Sequence, residues 1–247
     1  MNTNFWYFYR KYRPIIIERL KEIGETTPLK SLVTFILTSP NHLPGVLTIL
    51  VTKLLRGDEQ KGLDYAILVS LVEAFMNVHG DFEGSESDRF AIFAGDVILF
   101  KALEMIVIES NEKLVDYTYE LLVNYIEGKK EEMNKNYIKA VDYYAELFRY
   151  AFRLATLTTN DINTKVFEKV ETLGKIAGKI YYYLIFAQKG LLSIDDIRKT
   201  VLKLLDEYEV TIRGLPQSGY REILKKFPEN LINSLKEKNP KFADLLI

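Results

Sequence analysis

The sequence predicts an all-α protein, a single bundle of many helices, and three observations carry that expectation. Apolar positions recur every three or four residues through most of the 247-residue chain, whereas strict alternation is scarce. The breaks between periodic stretches are short and carry turn or helix-stopping residues, at Ser39-Pro40, Arg56-Gly57-Asp58, Gly80 to Asp88, Gly128, Thr158 to Asn160, Lys189-Gly190 and Gly214 to Pro216. Central segments such as Tyr65 to Val78 and Phe90 to Ile108 are apolar nearly all round, as helices in the middle of a large bundle are.

Taken in order, Ile15-Ile16-Ile17, Leu20 and Ile23 form the first apolar face, with Gly24 as its expected stop. Helical patterns follow at about 28–38, 44–56, 62–79, 90–109, 111–127, 134–158, 161–189, 194–213, 218–226 and 228–236. Ser193 before Asp195-Asp196 reads as an N-cap followed by acids that suit the positive end of a helix dipole, not as a metal motif. The aromatic and basic stretch Phe5 to Arg13 offers a membrane-surface foot or a segment packed on the bundle or a dimer partner. Packing is favoured, because one short segment binds membranes weakly.

Composition narrows the function classes. Hydrophobic residues make up 48% and charged residues 27%, and the 33 basic and 34 acidic side chains nearly cancel. That balance predicts neither nucleic-acid nor membrane attraction, and no basic stripe interleaved with aromatics lies beyond the N-terminal segment. Cysteine is absent, which excludes disulfides and thiolate chemistry, and two histidines, His42 and His79, are too few for a multi-histidine zinc site. No apolar run approaches the ~20 residues of a membrane span, and Asn2 to Arg13 lacks a signal-peptide cleavage pattern. With no low-complexity linker, the expectation is a single domain over 1–247 in a cytoplasmic protein.

Leu50 to Met105 resembles the N-terminal half of the trans-isoprenyl diphosphate (polyprenyl) synthases. In that family an apolar helix ending in His-Asp-Asp leads to the first Asp-rich motif, and a later helix opens with Ala-Gly-Asp. Here the two helices read AILVSLVEAFMNVHGDFEG and FAIFAGDVILFKALEMI, with Ala94-Gly95-Asp96 as the closest match. Tyr137 to Thr156 is similar to the helix carrying the family's Lys-Thr pair, Leu173 to Lys189 to the helix bearing the second Asp-rich motif, and Leu202 to Leu224 to the family's Gly-Leu-Pro ending. The resemblance implies an antiparallel helical bundle around a deep central cavity, usually as a dimer.

The family's chemistry needs Mg²⁺ held by two DDxxD motifs, and Mg²⁺ gains little from neutral side chains. In this sequence the first motif falls on Gly80 to Gly84, so His79 and Asp81 keep their places and Glu83 stands one position out of step. The second falls on Ile185, Phe186, Ala187, Gln188 and Lys189, without a carboxylate. The basic Gly-Lys-Arg-x-Arg-Pro segment aligns with Pro40 to Gly45, where His42 is the only basic remnant, and the Lys-Thr pair becomes Tyr143-Tyr144. Acids and bases are thus lost together, which is what a cavity given over to apolar packing requires, since unpaired buried charges are costly. Phe75, Met76, Tyr143, Tyr144 and Tyr182 are the residues expected to line that cavity.

No catalytic residue, metal site or cofactor is expected, with Mg²⁺ entering only if residual activity exists. The leading expectation is a non-catalytic homologue, a structural or regulatory subunit that forms a homodimer or a heterodimer with an active prenyl synthase through a face built partly by Phe90 to Ile108. The alternatives are an isoprenoid- or lipid-binding protein with an apolar ligand in the cavity, and a residual prenyltransferase of isoprenoid biosynthesis.

Overall fold

The structure, a computed structural model, describes residues 4–28, 30–38, 40–78 and 86–237, with Phe242 and Leu245 near the C-terminal end. Among these residues all the regular secondary structure is helical, in the order α1 (Phe5–Glu25), α2 (Lys30–Thr38), α3 (Leu43–Leu55), α4 (Glu59–Val78), α5 (Glu86–Glu109), α6 (Glu112–Met133), α7 (Tyr137–Tyr144), α8 (Glu146–Thr156), α9 (Thr164–Gln188), α10 (Ile194–Arg213), α11 (Gly219–Lys225) and α12 (Phe227–Lys236). The all-α expectation holds.

The helix starts follow local chemistry. The side chains of Asn4, Asn111, Asn163, Ser193 and Ser218 each accept a hydrogen bond from a backbone N–H of the first turn, satisfying a donor that the helix leaves orphaned. Asp195 and Asp196 sit in the first turn of α10 behind their Ser193 cap, as the sequence suggests. The aromatic N-terminal segment belongs to α1 itself and packs on α12. Phe5 meets Phe227 edge-on at 4.9 Å, and the Trp6 indole N–H donates to the Asn230 carbonyl at 3.1 Å.

Three sequence expectations change. The first helix begins at Phe5 rather than at the Ile15 face, and it carries Pro14 and Gly24 inside it. Gly128, expected as a break, lies within α6 because Tyr144 occupies the space a side chain there would need, 2.8 Å from a Cβ built at that position. The single helix expected over 134–158 is two, α7 and α8, divided at Ala145.

The core is arranged around α3, α4 and α8, with α9 laid along α8. From Leu43 to Leu54 every residue of α3 is buried, and so is every residue of α4 from Tyr65 to Met76. Burial of each large side chain in such helices contributes ~1.5–3 kcal/mol. At its outer side α8 is tied in by charge. Arg153 bonds both Glu120 on α6 and Glu171 on α9, while Arg149 reaches Glu146 at 2.9 Å and Glu120 at 3.3 Å. Among the described residues no single helix is long and apolar enough to cross a membrane.

The approach of α9 to its neighbours depends on two glycines a helical turn apart. A Cβ at Gly178 would stand 2.6 Å from the Ala145 carbonyl oxygen and 2.8 Å from its Cα, and one at Gly174 would stand 2.9 Å from Phe152 Cβ and 3.0 Å from Arg149 Cα. At Gly178 the obstacle is backbone, which cannot swing aside. Gly178→Ala is therefore expected to destabilise the fold by ~1–3 kcal/mol, the usual cost of overpacking. Urea denaturation checks this, and an unchanged midpoint would refute the backbone contact.

Candidate functional site

One end of α4 and the C-terminal half of α9 face each other across a cavity of about 270 Å³. Its walls come from five places. The α2–α3 connection supplies Pro40 and Asn41, and Pro44 follows in α3. From α4 come Glu73, Met76 and Asn77, and from α6 come Tyr125, Lys129 and Glu132. Tyr144, Leu147 and Phe148 flank the α7–α8 break, and α9 adds Tyr181, Tyr182, Ile185, Phe186 and Lys189. The size lies just below the ~300–1,000 Å³ of pockets that enclose drug-sized ligands.

Aromatic contact holds the walls. Tyr144 lies 5.5 Å from Tyr182 and 6.0 Å from Phe186, and Tyr181 lies 5.2 Å from Tyr182 and 5.0 Å from Phe148. These are favourable tilted or edge-on spacings, each worth ~0.5–1.5 kcal/mol beyond area burial. The Tyr125 hydroxyl donates to the Met76 carbonyl at 2.6 Å, which fixes the end of α4 against α6.

Charge in the cavity is largely neutralised from within. Glu132 pairs with Lys129 at 3.0 Å and accepts the Tyr144 hydroxyl. The Lys129 ammonium lies over the rings of Tyr144 at 5.6 Å and Tyr125 at 6.0 Å. Asn41 is committed as well, its amide donating to the Tyr181 hydroxyl at 3.1 Å and its oxygen accepting from the Leu43 N–H at 2.9 Å.

Glu73 is different. It stands in the apolar face of α4, is 6% exposed, and Oε2 has no hydrogen-bond partner among the described residues. Opposite it, at 3.9 Å, is Nδ1 of His42, fully buried, with neither ring nitrogen hydrogen-bonded among the described residues. The separation is within ion-pair reach, but burial governs both groups. Desolvation pushes the Glu73 carboxyl up to about 8, Arg13 opposing, and pushes the His42 imidazole down to about 4, aided by Arg13 and opposed by the Leu37 carbonyl. Near neutral pH the pair is an uncharged acid beside an uncharged base. His42 is thus no loop cation waiting for an anion. It ends the α2–α3 connection in a left-handed conformation (φ 55°) with its ring turned into the core.

Of the residues singled out from the sequence, Met76, Tyr144, Tyr182, Ile185, Phe186 and Lys189 come together around this cavity. Phe75 points elsewhere and packs 6.3 Å from Tyr125, and half-buried Tyr143 is not among the lining residues. His79, Asp81 and Glu83 lie outside the described residues. Glu73 was missed. Its signal was a lone carboxylate in the run Ala66 to Met76, where every other position but Ser70 is apolar.

The described residues do not fit a diphosphate–Mg²⁺ centre. The wall at 185–189 offers Ile185, Phe186 and Lys189, and among the described residues no group of three or more His, Asp or Glu side chains converges. Of the two lining carboxyls, Glu73 is held protonated and Glu132 is spent on Lys129 and Tyr144.

An all-α bundle closed around an aromatic-walled cavity defines the structural class. Within it, the chain has the isoprenoid synthase fold. It superposes on geranylgeranyl pyrophosphate synthetase from the archaeon Geoglobus acetivorans, at 15% identity over 92% of this chain and 98% of that one, with a TM-score of 0.77. It also superposes on polyprenyl synthase from Caulobacter crescentus, complexed with calcium and isoprenyl diphosphate, at 13% identity over 90% and 96% of the two chains (TM-score 0.79). A deletion mutant of the heterotetrameric geranyl pyrophosphate synthase of mint matches at 14% identity over 90% and 98% (TM-score 0.73). At these identities the likeness is one of fold. By sequence, the chain matches no protein-family profile and no curated protein.

The Glu73–His42 pair makes stability depend on pH. A carboxyl raised in the folded state binds more protons folded than unfolded between about 4.5 and 8, so its contribution is complete below that range and lost as pH rises through 8. His42 acts oppositely between about 4 and 6.5, where stability rises with pH, so above 6.5 Glu73 alone of the pair acts. Unfolding free energy is expected to fall from pH 6.5 to 8 with a slope of at most ~1.4 kcal/mol per unit. Glu73→Gln should flatten that decline. Identical profiles for the two proteins in urea melts would remove Glu73 as its source.

Proposed function

We propose that this chain is a non-catalytic isoprenyl diphosphate synthase homologue, a structural or regulatory subunit that pairs with itself or with an active prenyl synthase. The observation that carries this is the α9 wall of the cavity. Where an ionising diphosphate would need carboxylates to hold its metals, α9 presents Ile185, Phe186 and Lys189, with Tyr144 in tilted contact with Tyr182 and edge-on contact with Phe186.

The pairing half rests on α5 and α6. Among the described residues these two helices hold most of the large apolar side chains left in solvent. Phe93, Phe100 and Val107 stand seven residues apart along α5, and Val115, Tyr119 and Ile126 follow one face of α6. The opposite side of α5 is core, with Ala94, Ile98, Ala102 and Ile106 buried. Soluble chains seldom expose apolar area on this scale unless a partner covers it. The mint synthase of the same fold is heterotetrameric, a precedent for mixed assemblies.

A second reading is favoured by the cavity itself. About 270 Å³ of aromatic-lined space supports binding of a small apolar ligand, with or without a role in assembly.

Two measurements test the leading reading. Sedimentation should show the chain as a dimer or in complex with a co-purifying synthase. Phe100→Glu with Tyr119→Glu should weaken association at least tenfold while leaving the helical circular dichroism unchanged. Incubation with Mg²⁺, isopentenyl diphosphate and an allylic diphosphate should give no turnover by the chain alone. Robust product formation would overturn the proposal, as would a monomer indifferent to those substitutions.

A further inference from the structure

The second reading leaves the ligand's chemistry open, and the polar groups inside the cavity narrow it. An anionic head finds no free buried cation there, because the Lys129 ammonium is held by Glu132 at 3.0 Å and Lys189 lies exposed at the rim. A cationic head fares no better. The Tyr125 and Tyr144 rings already face Lys129, and Glu132, the second carboxyl-bearing residue of the wall, is paired with the same side chain.

What stays unmatched beside the cavity is the buried carboxyl of Glu73, whose Oε2 has no hydrogen-bond partner among the described residues and stands 3.9 Å from His42 Nδ1, too far for a hydrogen bond. An unmet buried polar group is costly, so a partner atom delivered to it is stabilised. A carboxyl kept neutral by burial can donate one hydrogen bond and accept another, which suits a hydroxyl. Met76 beside it, and Tyr182, Ile185 and Phe186 across from it, make the remainder of the wall largely apolar.

We propose that the cavity binds a small uncharged alcohol, with its apolar chain against Met76, Tyr182, Ile185 and Phe186 and its hydroxyl on the Glu73 carboxyl. This rests on the ligand-binding reading of the cavity and adds the identity of the head group. It also assigns Glu73 as the residue that selects an uncharged oxygen over a charged head.

Calorimetric titration of the full chain at pH 7 with octan-1-ol, octanoate and octylamine tests it. Octan-1-ol should bind at least tenfold more tightly than either charged analogue. Glu73→Gln, which keeps a donor and an acceptor, should stay within about threefold of the native protein. Glu73→Leu should lose about tenfold, the worth of one hydrogen bond of ~1.4 kcal/mol. Ile185→Trp, which fills the cavity, should abolish binding. Preference for octylamine or octanoate by the native protein would overturn the proposal without recourse to any variant. Undiminished octan-1-ol binding by Glu73→Leu would overturn the head-group assignment while leaving an apolar cavity that binds. Binding that survives Ile185→Trp, or no binding of any of the three, would sink the cavity reading itself.

Discussion

The contact on which the cavity depends is the backbone-to-backbone approach of α9 at Gly174 and Gly178. With no side chain at either position, α9 settles against Ala145 and Phe152 at distances that a Cβ would forbid. One turn further along the same face come Tyr181 and Tyr182, and after them Ile185 and Phe186. The position of the cavity's aromatic wall is therefore set by two glycines that do not touch the cavity. The break at Ala145 belongs to the same contact, since its carbonyl lies over Gly178 and the chain on either side of it supplies Tyr144 and Phe148 to the wall.

That wall decides which electrostatics the interior can sustain. Rings and aliphatic groups screen charge poorly, so every ionisable group facing the cavity must be paired or neutral. Glu132 and Lys129 take the first course and Glu73 with His42 the second. A pair of neutral groups just beyond hydrogen-bond distance avoids the cost of buried charge, yet leaves polar atoms unsatisfied. Thr48, Ser70 and Thr118 in the core find partners in the backbone of their own helices, whereas Glu73 and His42, like the hydroxyls of Thr34 and Thr52, have none among the described residues. The unsatisfied Glu73 carboxyl is the strongest sign that the space beside it has a use.

How much of this was legible in the sequence follows from how local each cause is. Helix content and the Ser193 cap depend on neighbours in the chain, and the apolar period and the residues before α10 displayed them, whereas the caps at Asn4, Asn111, Asn163 and Ser218 emerge from the structure. Gly128 was misread as a stop because a glycine's local signal is the same whether it ends a helix or admits Tyr144 from another. The split at Ala145 has no local signal, since its cause lies on α9. In the site, Met76, Tyr144 and Tyr182 were reached through the resemblance, which maps helix positions, whereas Tyr143 faces away because helical neighbours diverge by about 100°. Glu73 and His42 are far apart in the chain, and only packing of α3 on α4 reveals that they meet.

Fold and chemistry separate here for a physical reason. The bundle needs helices that are apolar on their inner faces, and any set of inner residues that fills space will close it. Metal-assisted ionisation needs much more, carboxylates on facing helices whose mutual repulsion is tolerable only with cations between them. A wall without carboxylates avoids that repulsion and still closes the bundle, as the α9 wall of Ile185 and Phe186 does. Two unusual features of the chain lie at separate places. One is the uncovered apolar face of α5 and α6, and the other is the unsatisfied carboxyl of Glu73. α4 runs from the cavity, where it supplies Glu73, to a direct contact with α5, the helix of the exposed face. The cavity and the exposed face of α5 and α6 therefore share one structural element, α4, whose cavity end carries Glu73 and which packs directly on α5.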